Sequence, residues 1–61
     1  MAQITPELFT ILVVDDDPSV TASIAMLLKQ AGFGVLTASE PQQAMSLLAQ
    51  SPVHLVLQDM N

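Results

Sequence analysis

Four of the six acidic residues lie at two points where an apolar run of the chain ends. Asp15, Asp16 and Asp17 follow the first run, and Asp59 follows the last one. Two carboxylates about 4 Å apart repel each other by roughly 4 kcal/mol at an effective dielectric constant of 20. If the fold brings these acids together, either some of them stay protonated or a cation lies between them.

The candidate ligands are all oxygen donors, and the chain has no cysteine. Oxygen donors indicate Mg²⁺, Mn²⁺ or Ca²⁺ rather than zinc. A site with two or three protein ligands that keeps several waters is typical of Mg²⁺ beside a phosphate. His54 has no second nitrogen or thiolate ligand in the sequence, so it is interpreted as a half-exposed strand residue.

Each acid also has a purely structural interpretation. Asp17 precedes Pro18, and this order is typical of a helix N-cap followed by proline at the first helical position. Asp15 and Asp16 could be solvated turn residues, and Asp59 could be a turn residue near the chain end. Taken together, the acids favour a cation-binding site, because residues that serve only as caps or turns would have no reason to lie around one crevice.

The elements that must position these acids follow from the hydrophobic pattern. The near-continuous apolar run at residues 9–14 predicts a strand buried on both faces. A helix is predicted from Pro18 to a stop at Gly32, with Lys29 in its last turn. Its predicted inner face is a single apolar stripe: Val20, Ile24, Leu27, Leu28 and Ala31.

The second half of the chain repeats this alternation. Residues 34–38 predict a second strand, and residues 53–58 predict a third. Between them, Ser39 with Gln42 predicts a capping box at the start of a second helix, and Ser51 with Pro52 predicts its end. The predicted inner face of this helix consists of Ala44, Leu47 and Leu48.

The order strand, helix, strand, helix, strand predicts an α/β fold of the βαβαβ type with parallel strands in the order 2-1-3. Strands one and three are then neighbours, and their carboxyl ends open into the crevice where such sheets bind ligands. Residues 1–8 are interpreted as an N-terminal lead and residues 9–61 as the folded part.

Composition excludes several partner classes. Lys29 is the one basic residue, and the net charge is -5, so we expect no nucleic acid on this segment. The apolar runs are too short to span a membrane, and no signal peptide is evident. We therefore expect a cytoplasmic chain without membrane contact.

The segment Ile-Leu-Val-Val-Asp-Asp-Asp-Pro at residues 11–18, together with Leu-Val-Leu-Gln-Asp at residues 55–59, resembles the response-regulator receiver family. The acidic pair combined with the spaced second aspartate is a specific pattern. The ending Gln-Asp-Met-Asn at residues 58–61 is similar to receivers of sigma-54-dependent, nitrogen-regulatory activators. The resemblance implies a doubly wound, flavodoxin-like fold, of which residues 9–61 would be the N-terminal half.

The resemblance also implies site roles. Asp59 would be the nucleophile that accepts a phosphoryl group from a phosphohistidine of a sensor histidine kinase. Asp16 and Asp59 would bind Mg²⁺ (or Mn²⁺) directly, Asp15 chiefly through a bound water, and Asn61 through its backbone carbonyl. The chain would be a phosphoacceptor signalling domain and not an enzyme. Gln58 and His54 depart from the family's usual residues at their positions.

A receiver also has a Ser or Thr after its fourth strand and a Lys after its fifth, so we expect a truncated domain with impaired chemistry. Two alternatives stay open. A phosphatase of the aspartyl-phosphate type would use an Asp-x-Asp motif, which Asp15-Asp16-Asp17 fits only by coincidence, and the apolar strand that ends at Asp59 favours a receiver. A self-associating half-domain would use the third strand as an open edge, and we expect a homodimer of the fragment on this ground.

Overall fold

The first apolar run forms the central strand of a three-stranded parallel sheet in the computed structural model, which describes residues 9–58. Strand β1 spans Thr10–Val14 and pairs with β2, Gly34–Ala38, on one edge and with β3, Leu55–Gln58, on the other. The four side chains from Ile11 to Val14 are buried. The predicted α/β fold and strand order 2-1-3 are confirmed.

Two predicted segments fall wholly or partly beyond this range. The lead at residues 1–8 and the last three residues, 59–61, lie outside the described residues. Within residues 9–58, no helix has the length and apolar character needed to cross a membrane.

Helix α1 spans Pro18–Gln30, its C-cap is Ala31, and Gly32 follows at the C′ position as predicted. Gly32 has a φ of 97°, a left-handed conformation that glycine adopts without steric cost. Its N–H donates to the carbonyl of Lys29 at 3.0 Å, and the N–H of Phe33 donates to that of Leu28 at 3.1 Å. These two bonds form a Schellman motif, which satisfies carbonyls that the end of a helix otherwise leaves unpaired.

The predicted inner face of α1 is wrong in part. The buried side chains are those of Thr21 and Ala25, with Ile24 and Leu28 half-buried, whereas Leu27 is 66% exposed. Small residues allow the helix to approach the sheet closely, and α1 packs on β1 and β2. The apolar stripe is therefore turned by about a quarter of a helical turn away from the sheet.

Helix α2 spans Pro41–Gln50 and begins one residue later than predicted. Its N-cap is Glu40, which makes no side-chain capping bond. The capping box predicted from Ser39 and Gln42 is wrong, because Gln43 reaches back instead. The Gln43 Oε1 accepts from the backbone N–H of Ser39 at 3.0 Å and from its hydroxyl at 3.2 Å. Pro41 at the first helical position shifts the start of the helix.

On the other face of the sheet, α2 closes the main core. Ala44 is buried in a cluster with Leu12, Val14 and Ala38, and Leu47 packs against it. Leu48 is 45% exposed, so its predicted place on the inner face is wrong. The helix ends at Ser51 as predicted.

Strand β3 begins two residues later than predicted. Before it, His54 is bound to the first residue of β1: its N–H donates to the Thr10 carbonyl at 2.9 Å, and its Nδ1 accepts from the Thr10 N–H at 2.9 Å. The imidazole stacks on Phe9 with a centroid distance of 4.9 Å. His54 is more exposed than predicted. Its two bonds to Thr10 hold the start of β3 beside the start of β1.

We predict that Gly32→Ala destabilises the chain by about 1 kcal/mol or more, because a Cβ is disfavoured at positive φ. Gly34→Ala is the matched control, since Gly34 begins β2 and is not among the positive-φ residues. Urea unfolding of the two variants at one fixed protein concentration measures the difference. Equal free energies of unfolding for the two variants would contradict this account of the helix end.

Candidate functional site

Asp15 is held at the carboxyl end of β1 by backbone and side-chain hydrogen bonds. Its N–H donates to the carbonyl of Ala38 at 3.1 Å, so the pairing with β2 continues one residue beyond the strand. Its Oδ1 accepts from the N–H of Asp17 at 2.9 Å, which closes an Asx turn. The side chain is only 8% exposed. The carboxylate therefore has a fixed direction, and its second oxygen is left to meet a ligand or water.

Asp17 begins α1, as predicted. Its backbone is extended (φ -96°, ψ 110°), and its Oδ1 accepts from the N–H of Ser19 at 2.9 Å. Its carbonyl accepts from the N–H groups of Val20 and Thr21 at 3.1 Å each. This carboxylate is occupied in capping the helix.

Asp16 lies between them and differs from both. Its side chain is exposed, and within residues 9–58 it makes no side-chain hydrogen bond. Three consecutive aspartates thus divide into a buried carboxylate that stabilises the turn, a free one at the surface and a helix cap. Asp16 keeps both carboxylate oxygens available for a cation, and Asp15 and Asp17 keep one each.

A cleft of about 320 Å³ opens beside Asp15. It lies between α1 and the carboxyl ends of β1 and β3, whose register pairs Val14 with Gln58. Its lining residues are Val13, Val14, Asp15, Ile24, Leu57 and Gln58. The crevice predicted at the ends of strands one and three is present in the described part of the fold.

Two members of the predicted site, Asp59 and Asn61, lie outside the described residues, and Gln58 is the last described residue before them. Among residues 9–58, no three His, Cys, Asp or Glu side chains are grouped so that they could hold a metal ion. The complete ligand set of Asp15, Asp16, Asp59 and Asn61 therefore stays a prediction.

The electrostatic character of the cleft follows from the placement of charge. Lys29, the one basic residue of the sequence, is in the last turn of α1. With a rise of 1.5 Å per residue, it lies roughly 18 Å along the helix axis from Asp17. Among residues 9–58, no Lys or Arg side chain lies near the acidic end of the cleft.

The sequence did not predict which residues line the cleft. Ile24 and Gln58 both line it, although Ile24 was assigned to the inner face of the helix and Gln58 was noted only because it differs from the usual residue of the family. The burial of Asp15 was also missed. Strand alternation gave a usable signal, because Asp15 follows Ile11 and Val13 on one face of β1.

The parallel sheet in the order β2-β1-β3, with a helix on each face and an acidic cleft at its carboxyl end, defines a βαβαβ segment of a flavodoxin-like α/β fold. The response regulator receiver domain family matches residues 11–61. The chain belongs to this family.

Among curated proteins, the chain is similar to an NtrX-like response regulator of Rickettsia bellii (strain RML369-C), with 38% identity over 52 residues. The match covers 85% of this chain and 11% of that relative, so the chain spans about a tenth of the relative's length. No solved structure matches the chain significantly.

We predict that Asp17→Ala lowers the free energy of unfolding by about 1 kcal/mol, because the helix loses its capping acceptor. Asp17→Asn should be close to the parent chain, since asparagine caps equally well. Asp16→Ala is the matched control at the neighbouring exposed aspartate and should change stability little. Urea unfolding of the three variants tests this, and a larger loss for Asp16→Ala than for Asp17→Ala would refute the assignment of the cap.

Proposed function

We propose that this chain is the phosphoacceptor segment of a receiver domain, in which Asp59 accepts a phosphoryl group from a phosphohistidine of a sensor histidine kinase. Family membership supports the class of protein. The observation that carries the proposal is the placement of Asp15 and Asp16 at the end of β1, beside the end of β3. Asp59 directly follows β3 in the sequence.

The available donors fit a hard divalent cation. Asp15 and Asp16 keep carboxylate oxygens available, and Asp59 with the backbone carbonyl of Asn61 would complete an all-oxygen set for Mg²⁺ or Mn²⁺. When bound, such a cation neutralises charge on the phosphoryl oxygens. The Asx turn that fixes Asp15 would hold this ligand in place before the cation arrives.

In the proposed transfer, a carboxylate oxygen of Asp59 forms a bond to phosphorus while the bond from phosphorus to the histidine nitrogen breaks. The electron pair of the broken bond stays on the imidazole of the kinase, which then takes up a proton. The product is an acyl phosphate on Asp59. The chain is thus an acceptor in signalling and is not itself proposed to be an enzyme.

The phosphatase alternative is less well supported. An Asp-x-Asp phosphatase would need Asp15 as its nucleophile and Asp17 as a second reacting group. The Asp15 carboxylate is mostly buried and accepts a backbone hydrogen bond, and the Asp17 carboxylate caps α1. These structural roles favour the receiver interpretation.

A second proposal concerns self-association of the chain. We also propose that the chain forms a homodimer, because β3 lies at an edge of the sheet that residues 9–58 form. The side chains of Leu55, Val56 and Leu57 are between 38% and 44% exposed. An apolar edge strand is a template for pairing with another chain.

The metal site makes a direct prediction. Asp16→Asn should weaken Mg²⁺ binding by at least about tenfold, since loss of even an outer-shell partner costs 10- to 100-fold in metal affinity. Asp17→Asn is the control of equal charge change and should leave the affinity unchanged. Calorimetric titration with Mg²⁺ reads the affinity, and an equal loss in both variants would show a charge effect without a specific site.

Phosphoryl transfer can be tested with acetyl phosphate and intact-mass spectrometry. We expect one phosphoryl group on the chain with Mg²⁺ present and none on Asp59→Asn. Labelling should be slow, because Lys29 is the only Lys or Arg and lies far from the cleft, and loss of one charge-stabilising donor costs about 10²–10³ in rate. A label that persists in Asp59→Asn would contradict the assigned nucleophile.

A further inference from the structure

The outer edge of β2 has backbone groups that point away from the sheet. The N–H of Gly34 and the carbonyl of Ala38 both bond to β1. Because backbone groups alternate along a strand, the even-numbered residues of β2 bond to β1. Val35 and Thr37 therefore direct their N–H and carbonyl groups outward. Among residues 9–58, no strand pairs with this edge.

The edge position of β2 does not depend on how far the chain extends. In flavodoxin-like sheets of the order 2-1-3-4-5, the later strands add beyond β3, and β2 stays at the edge. The chain also continues past the described residues from the end of β3, on the far side of β1 from β2. The outer edge of β2 is therefore a surface of the complete fold.

A groove of about 620 Å³ lies beside this edge, between α1 and β2. Thr37 lies on the same face of the sheet as Val13 by register, and residues of α1 line cavities with both. The Thr37 side chain is nevertheless exposed, and Met26 at the groove is 61% exposed. Helix α1 thus leaves the outer part of β2 uncovered on this face. The lining residues are Thr21, Ala22, Ala25, Met26, Lys29, Gln30 and Thr37.

Opposite charges lie near the two ends of this edge. Lys29 is in the last turn of α1, which the turn at Gly32 joins to the start of β2. Glu40 follows the end of β2, and its exposed side chain makes no capping bond. A strand antiparallel to β2 would have its C-terminal end near Lys29 and its N-terminal end near Glu40. Charge therefore favours a partner strand with a carboxylate at its C-terminal end.

The aspartates of the cleft do not oppose such a carboxylate strongly. Asp17 lies roughly 18 Å from Lys29 along the axis of α1. This distance exceeds the Debye length of about 8 Å at physiological ionic strength. An acidic group bound at Lys29 is therefore largely screened from the start of the helix, despite the net charge of -5.

We propose that an extended segment of a partner protein pairs antiparallel with the outer edge of β2, with apolar side chains in the groove and a carboxylate beside Lys29. In this mode of recognition, main-chain bonds give affinity and pockets for alternate side chains give specificity. Antiparallel pairing is favoured, because parallel pairing is slightly less stable per residue. The proposal uses the opposite edge of the sheet from β3 and does not rest on phosphoryl transfer.

A synthetic peptide, acetyl-Thr-Val-Thr-Val-Thr-Glu-amide, is the probe. In the proposed register its two valines lie opposite Thr37 and Val35, and its glutamate lies near Lys29. Residues opposite each other share a face, so the valines and the glutamate are on the groove side. Amide NMR of the isotope-labelled chain reads the binding site.

We expect saturable shifts centred on the amides of Val35 and Thr37. The absence of saturable shifts at millimolar peptide would overturn the proposal, as would shifts centred on Val56 of β3. Shifts of Val35 and Thr37 that grow with chain concentration in the absence of peptide would assign this edge to a second copy and would also overturn it.

The carboxylate contact is tested by a double-mutant cycle. Lys29→Gln should weaken binding of the glutamate peptide by up to about fivefold, the range of an exposed ion pair. A peptide with glutamine in place of the glutamate should bind Lys29→Gln and the parent chain equally. Equal weakening of both peptides by Lys29→Gln would overturn the placement of the carboxylate.

Methylation of the peptide backbone tests the strand pairing without changing a side chain. The valines exchange backbone bonds with β2, so N-methylation of one valine should weaken binding by about fivefold or more. The threonine between the valines directs its N–H away from β2, and its N-methylated peptide is the matched control that should bind like the unmodified probe. Equal loss of affinity for the two methylated peptides would overturn pairing at this edge.

Discussion

Strand β1 has to satisfy hydrogen-bonding groups on both of its edges and bury side chains on both of its faces. Its odd-numbered residues bond toward β2, as the bond from Asp15 to Ala38 shows, and its even-numbered residues bond toward β3, as the bond between His54 and Thr10 shows. A five-residue strand under this constraint has no position for a charge. The acids therefore follow the strand directly, at the first point where the chain leaves the sheet.

Features with short-range causes could be predicted from the sequence. The buried strand, the cap at Asp17 and the stop at Gly32 each depend on a few neighbouring residues, and the structure has all three. The strand order also followed, because short connections and right-handed crossovers leave few alternatives. The strand order alone then predicted the crevice between strands one and three, without information on any side chain.

Features that depend on tertiary packing could not be predicted in the same way. The apolar stripe of α1 correctly marks side chains that gain from burial, but the sheet contacts the smaller Thr21 and Ala25 instead. The start of α2 depends on Pro41 and on how far Gln43 can reach. At the site, the hydrogen bond that fixes the Asp15 carboxylate depends on a turn conformation that three consecutive aspartates do not specify.

The exposed part of that stripe and the side chains of Leu55 and Leu57 lie on the same face of the sheet. Ile24 and Leu57 line the same cleft, and Val20 and Leu27 lie on the Ile24 side of α1 by helix geometry. Strand β3, which pairs in the proposed homodimer, and the proposed phosphoacceptor are also adjacent, because Asp59 follows Gln58 in the chain. A phosphoryl group there adds charge at the end of β3. Linkage then requires that any effect of phosphorylation on association be matched by an equal effect of association on the equilibrium of phosphorylation.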